Sequence, residues 1–313
     1  GLRSASGTQA RGLKTALTLK PHRREIMKLL SFTHNARESW GAVVGDMVVD
    51  LGAALPQYPT LADFVGSPDF ATRDALLARM KPDLKLADIA YLPVIPRPEK
   101  IICAVRNYLD HHQEAVAHGL KRELTAFPPI FLRVWRSQVG HNSPIIRPKV
   151  STHLDWEGEL AVIIGKGGRH ISEEAAMDHV AGYSVYNDVS VRDYQMHAQQ
   201  IAAGKNFVGT GPFGPFLVTQ DEVLDPTKLR VKTILNGEVV QSSDTSFLIF
   251  SIPQLINYAS TIFDLVPGDV IATGTPAGVG FTRKPPIFMK AGDVVEVEIE
   301  KVGTLRNPVI DEK

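Results

Sequence analysis

The sequence predicts a strand-rich α+β fold, and three observations carry that reading. Strand-like and helical segments do not alternate regularly along the chain, which argues against a doubly wound parallel sheet. Leu160–Gly165 (LAVIIG) is a continuous apolar run of strand length, as expected of a strand covered on both faces. Val294–Ile299 (VVEVEI) alternates apolar and acidic residues, as a half-exposed strand does.

Taken in order, residues 1–26 carry six Lys/Arg and a single acid, Glu25, and a Met follows at position 27. They read as an extension outside the fold: an added or misread stretch, or an Arg-rich organelle-targeting segment. Short strands are predicted over 27–52, where Ala42–Leu51 (AVVGDMVVDL) sets Gly45-Asp46 between two apolar runs as a hairpin turn. Apolar spacing at Leu61, Phe64, Val65, Leu76, Leu77 and Met80 predicts helix within 60–85. Pro93, Pro96 and Pro98 suggest a linker. The chain therefore divides into the extension (1–26), a small N-terminal domain (27–95) and a main domain (96–313). In the main domain Glu173–Val180 reads as a short helix and Val270–Thr273 as a strand. Ser251–Phe263 is amphipathic, with Ile252, Leu255, Ile256 and Ala259 on one stripe.

Lys+Arg and Asp+Glu both total 34, so the formal net charge is zero. That balance supplies no field for nucleic acid or an anionic membrane surface. No apolar run approaches the roughly 20 residues that span a bilayer. Cys103 is the only cysteine, which excludes an intrachain disulfide and fits a reducing compartment; a cytoplasmic location is expected. Gly209–Gly214 (GTGPFG) matches G-x-G-x-x-G literally, but Pro212 and Pro215 bar the helix that a dinucleotide site needs there.

The chemistry concentrates in His153–Leu160 (HLDWEGEL). Strand side chains alternate, so Glu157 and Glu159 share a face about 7 Å apart, just before a buried apolar run. Two like charges there repel and are poorly solvated unless a cation or a basic side chain compensates. Hard carboxylate oxygens suit Mg²⁺, Mn²⁺ or Ca²⁺. Asp188, in the apolar stretch Tyr183–Ser190, adds a third carboxylate and leaves such an ion open positions for water and substrate. Arg192 and Gln195 follow, and could hold a substrate carboxylate by charge-assisted hydrogen bonds. Arg192 could equally form an ion pair with Asp193 or another nearby acid.

These segments resemble the fumarylacetoacetate hydrolase family. The similarity runs through EGELAVIIG at 157–165, Gly182–Gln195, KNF at 205–207, Gly211–Thr219 and TGTPAGVG at 273–280, over roughly residues 98–308. It implies a β-roll-like fold, a homodimer, Mg²⁺ or Mn²⁺ as cofactor, and Glu157, Glu159 and Asp188 as metal ligands. Arg106–Glu114 (RNYLDHHQE) looks like the family's R-N-Y-x-x-H-x-x-E stretch, which places Arg106 and Tyr108 at the substrate. On a helix, positions i and i+3 are neighbours, so Glu114 can orient His111 as a general base. His112 is the rival base. By matching position, Lys205 points at the substrate oxygen and Thr275 closes over the substrate carboxylate. Two departures affect substrate choice: Val105 stands where many relatives have Gly, and Phe131-Leu132-Arg133-Val134 where many read F-L-K-P. Lys121–Phe127 (KRELTAF) is a candidate lid.

The expected function is hydrolysis of a C–C bond in a small 1,3-diketo acid of the acylpyruvate type, as in aromatic catabolism. Decarboxylation, isomerisation or hydration of a 2-oxo acid uses the same enolate chemistry. A non-catalytic metabolite-binding relative is the reading from a different class.

Overall fold

The computed structural model describes residues 27–119 and 123–313. Residues 1–26, and with Lys121 the start of the candidate lid, lie outside the described residues.

A large mixed sheet organises the described chain. Its main path runs from Leu84–Lys85 through Met47–Asp50, Arg37–Val44, Lys28–His34, Gly211–Thr219, Val180–Asn187, Gly158–Ile164, Val270–Ala272 and Ile101–Ala104 to Ile130–Arg133. Pairing is antiparallel along it except between Val270–Ala272 and Ile101–Ala104. A second, five-stranded sheet runs Glu238–Asp244, Arg230–Leu235, Val294–Ile299, Gly303–Asp311, Ile145–Arg147. Val294–Ile299 forms the strand that its alternation predicts, burying Val295, Val297 and Ile299.

The apolar run at Gly158–Ile164 is buried along its whole length because both faces are covered. Leu160, Val162 and Ile164 join one apolar cluster with Leu255, Ile256 and Ala259 of the Ile252–Ile262 helix. Ala161 and Ile163, on the opposite face, join Trp40, Leu61 and Phe64. That helix starts as the sequence requires: the Ser251 side chain accepts from Gln254 N–H while Gln254 caps back, and Pro253 sits in the first turn.

The hairpin at Gly45-Asp46 forms between Arg37–Val44 and Met47–Asp50. Strand Lys28–His34 pairs with Gly211–Thr219, so the segment before residue 95 and the segment after it share one sheet and one apolar cluster. One expectation is refined and one is corrected. Residues 60–85 fold not as one helix but as short pieces, Leu61–Val65, a 3₁₀ turn Pro68–Thr72 and Arg73–Leu77, interrupted by Gly66 and Pro68. Residues 173–180 form only a 3₁₀ turn, Ala176–His179, because Val180 already belongs to a central strand. No helix among the described residues is long and apolar enough to cross a membrane.

Candidate active site

Register brings the three acids together. Gly158 pairs with Asn187 and Glu159 with Tyr186, so Glu157 and Asp188 lie at adjacent strand ends. Asp188 N–H donates to Glu157 O at 2.9 Å, and Glu157 N–H donates to Asn187 Oδ1 at 3.0 Å. One carboxylate oxygen from each of Glu157, Glu159 and Asp188 lies within 4.8 Å of the others, and all three residues are buried. That spacing suits simultaneous ligation of one hard cation, whose oxygen ligands sit about 2.0–2.6 Å away.

The surroundings of the trio are strongly charged. Lys205 Nζ donates to Glu157 Oε2 at 2.8 Å and Asp188 Oδ2 at 2.7 Å. Arg192 donates to Glu157 Oε1 at 2.6 Å and Asp155 Oδ2 at 2.8 Å, and Arg133 to Asp188 Oδ1 at 2.5 Å. Burial alone would raise the Glu157 carboxyl, but the Lys205 and Arg192 charges outweigh it and hold it below the usual range. Glu159 shows the opposite balance: burial, then the charges of Asp188 and Glu157, push its carboxyl well above the usual range despite the Gly274 N–H at 2.8 Å. Four buried carboxylates (Asp155, Glu157, Glu159, Asp188) thus face three buried cations (Arg133, Arg192, Lys205). A divalent cation would suit this donor set, since it would relieve the repulsion at Glu159 and offset the excess of carboxylates.

His111 and Glu114 lie in the Leu109–Ala117 helix, which begins where Asn107 is pinned. The Asn107 side-chain amide donates to Phe250 O and Thr273 O, both at 2.9 Å, and accepts from Phe250 N–H. His111 Nδ1 meets Glu114 Oε2 at 3.0 Å, the i,i+3 pairing expected. Glu114 Oε1 accepts from Gly278 N–H at 3.0 Å and Thr282 Oγ1 at 2.7 Å. Hydrogen bonds from His111, Thr282 and Gly278 overcome burial and lower the Glu114 carboxyl. His112 is one residue off this geometry, its N–H bonded to Tyr108 O.

A cavity of about 530 Å³ opens beside these groups. Arg106, His111, Glu157, Arg192, Gln195, Lys205 and Thr275 line it, with Ala115, Phe131, Met196, Ile201, Val279 and Phe281 forming an apolar wall. Arg106 reaches it from a left-handed backbone (φ 48°), an uncommon conformation for a side-chain-bearing residue. Arg192 is committed to Asp155, Glu157 and Gln195 Oε1, so the alternative of an ion pair with a nearby acid holds, but with Asp155 and Glu157. Its Nη2 remains buried without a partner among the described residues. Thr275 Oγ1 donates to Gly158 O at 3.0 Å and accepts from Gln241 Nε2 at 2.9 Å, which fixes it in the wall.

Tyr108 departs from its expected place. It is fully buried, is not among the residues lining the cavity, and its hydroxyl has no partner among the described residues. As the residue preceding the helix it packs inward, bridged through its backbone to Leu248.

Three residues were not singled out from sequence as parts of the site. Arg133 is fully buried and spends its guanidinium on Asp188, Val189 O, Thr210 and Ser137. An arginine in an apolar strand was the available signal. Asp155 accepts from Trp156, Gly280 and Phe281 N–H groups as well as from Arg192, so it anchors the glycine-rich loop to the acidic strand. Its position two residues before Glu157 was visible. Thr282 had no local signal.

A family model described as Fumarylacetoacetate (FAA) hydrolase C-terminal matches residues 100–310. Among curated relatives, "Oxaloacetate tautomerase fahd2, mitochondrial" of Xenopus laevis is 44% identical over 271 residues, 85% of this chain and 83% of that protein. "Oxaloacetate tautomerase YisK" of Bacillus subtilis is 42% identical over 226 residues, 72% of this chain and 74% of its own. Among solved structures, maleylpyruvate hydrolase from Sphingobium sp. SYK-6, in complex with manganese(II) and pyruvate, superposes with a TM-score of 0.75 at 29% identity, covering 92% of this chain and all of that one.

Proposed function

This chain belongs to the fumarylacetoacetate hydrolase family, and from that premise we propose that it is a divalent-cation-dependent tautomerase of a small 2-oxo diacid of the oxaloacetate type. The 44% identity to an oxaloacetate tautomerase over 85% of the chain carries the choice of reaction. It replaces C–C hydrolysis, which the sequence alone favours, as the first reading. Both reactions need one base facing one anionic oxygen site; they differ in whether the proton comes from carbon or from water.

Interconverting the two forms moves one proton between C3 and the 2-oxygen. With Nδ1 directed at Glu114, the Nε2 atom of His111 is the nitrogen left to carry the proton: it takes the C3 proton of the keto form and gives it to the 2-oxygen to complete the enol, and in the reverse direction takes the enol proton and returns it to C3. The Glu114 carboxylate stabilises the imidazolium that forms. As the C3–H bond breaks, its electron pair becomes the C2–C3 double bond and the 2-oxygen gains negative charge. Lys205 and Arg192 line the cavity and would supply positive charge beside that oxygen. Glu157, Glu159 and Asp188 would hold Mg²⁺ or Mn²⁺, whose contribution is Lewis-acid stabilisation of the same charge. The apolar wall excludes water and strengthens these interactions.

The test follows the ultraviolet absorbance of the enol form of oxaloacetate, with Mg²⁺ or Mn²⁺ present. Decay faster than in buffer, lost on chelation, is the expected result; no acceleration with either metal overturns the reading. Hydrolysis of a diketo acid is retained as a second reading because the cavity, at about 530 Å³, exceeds what a four-carbon diacid fills, and because a maleylpyruvate hydrolase shares the architecture. A panel of acylpyruvates in the same assay separates the two. The homodimer implied by the family resemblance is part of the proposal, checked by light scattering on the purified chain.

A further inference from the structure

The geometry points to Thr282 as a positioning residue that acts through Glu114 on His111. This rests on the proposed role of His111 as the group that carries the proton.

Glu114 is held from both sides. Oε2 faces His111 Nδ1 at 3.0 Å, and Oε1 accepts from Gly278 N–H at 3.0 Å and from Thr282 Oγ1 at 2.7 Å. The Thr282 hydroxyl has a single proton and two acceptors in reach, Glu114 Oε1 and Val279 O at 3.1 Å. The carboxylate is nearer and charged, so it takes the proton. Two donors on one oxygen leave the other oxygen fixed in the plane where His111 lies. A Glu side chain with a partly exposed carboxylate otherwise has several rotamers to explore, and a single backbone N–H does not exclude them.

The consequence falls on the imidazole. A carboxylate fixed against Nδ1 keeps the neutral ring in the Nδ1–H form and leaves Nε2 bare to accept a proton in the cavity. A carboxylate free to rotate allows the other tautomer, in which Nε2 already carries a proton and cannot act as base. Thr282 itself lines the cavity, on the same loop as Gly278, so the loop that shapes one wall also sets the state of the base. Among the described residues, the hydrogen bonds that hold Glu114 run to His111, Gly278 and Thr282 and not to Glu157, Glu159 or Asp188.

Thr282→Val removes the hydroxyl and keeps the shape; Thr282→Ser keeps the hydroxyl. In ¹⁵N NMR of the imidazoles, with His111→Ala as the assignment control, the valine variant is expected to show a smaller Nδ1–H fraction at His111, and the serine variant the wild-type fraction. Turnover should fall about tenfold in the valine variant, as for loss of one hydrogen bond to a charged group, with KM within about twofold and metal affinity unchanged. The serine variant should restore it. In a Glu114→Gln background the valine substitution should cost nothing further. A wild-type tautomer ratio in Thr282→Val, failure of serine to restore it, or an undiminished cost in the Glu114→Gln background overturns the inference. If the tautomer ratio shifts as expected but His111→Ala turns over at the wild-type rate, the positioning stands and the role given to His111 is what fails.

Discussion

Gly278 donates its backbone N–H to the Glu114 carboxylate at 3.0 Å, tying the glycine-rich loop to the helix that carries His111. The backbone at Gly278 has φ +101°, and a Cβ built there would lie 2.2 Å from Val240 O. Gly278→Ala therefore forces the loop away from Glu114. We expect a loss of about 1–3 kcal/mol in urea-induced unfolding and a fall in turnover. A variant with unchanged stability would mean that the loop relaxes without strain.

His111→Ala should lower tautomerisation, and any acylpyruvate cleavage, by about 10²–10⁴-fold, the usual cost of losing a general base. Metal affinity should be retained. Metal-assisted decarboxylation of oxaloacetate should also survive, since it needs neither an attacking water nor proton abstraction at C3. Both reactions measured on one preparation, with metal content checked, decide the matter; undiminished tautomerisation would move the base elsewhere.

Mg²⁺ or Mn²⁺ should raise the melting temperature, because a ligand that binds only the folded chain stabilises it, by about 2.7 kcal/mol at a hundredfold excess over Kd. Glu159→Gln should abolish most of that rise. The Glu159 carboxyl is raised, by burial first and then by the charges of Asp188 and Glu157, and a bound cation would allow it to ionise cheaply. Equal metal-induced shifts in both proteins, measured by calorimetry, would exclude Glu159 as a ligand.

Arg133→Met should destabilise the fold by about 1.5–3 kcal/mol, the usual cost of losing hydrogen bonds to a buried charged group. Asp188 would keep Lys205 but lose the guanidinium now at 2.5 Å. Arg133→Lys should recover only part of this, because one ammonium cannot replace contacts to Asp188, Thr210 and Ser137 together. Denaturant midpoints of the three proteins give the comparison.

Acid should weaken the fold through His141, away from the site. Burial, and then the Arg306 charge, bring its imidazole down from 6.5 to about 4. The folded state therefore resists a proton that the unfolded chain accepts. The resulting loss of stability begins as pH falls through about 6.5 and is complete near 4, below which both states are protonated. His141→Gln, which keeps an acceptor for Arg306 N–H, should flatten the stability profile across that window. An unchanged slope would assign the acid sensitivity to other groups.

Much of this protein is legible before folding is considered. The apolar run at 160–164, the alternation at 294–299, the hairpin at Gly45-Asp46 and the capped helix at 252–262 depend on side-chain period and on residues within a turn of each other. The Glu157–Glu159 alternation and the i,i+3 spacing of His111 and Glu114 are legible in the same way, whereas Asp188 as a third ligand and His111 as a base rest on the family resemblance. Apolar spacing finds helix within 60–85 but not its breaks at Gly66 and Pro68, and it misreads 173–180 because a central strand claims Val180.

What only the tertiary structure decided is which distant groups meet. Arg133 reaches Asp188 across 55 positions, Gly278 reaches Glu114 across 164, and Thr282 reaches it across 168. Tyr108 turns into the core while its neighbour Arg106 lines the cavity. The sequence by itself determined the kinds of element and the chemical groups at hand, because periodicity and ionisation are local properties. Pairing between groups far apart in the chain is set by sheet register and loop closure, and these depend on the whole core closing at once.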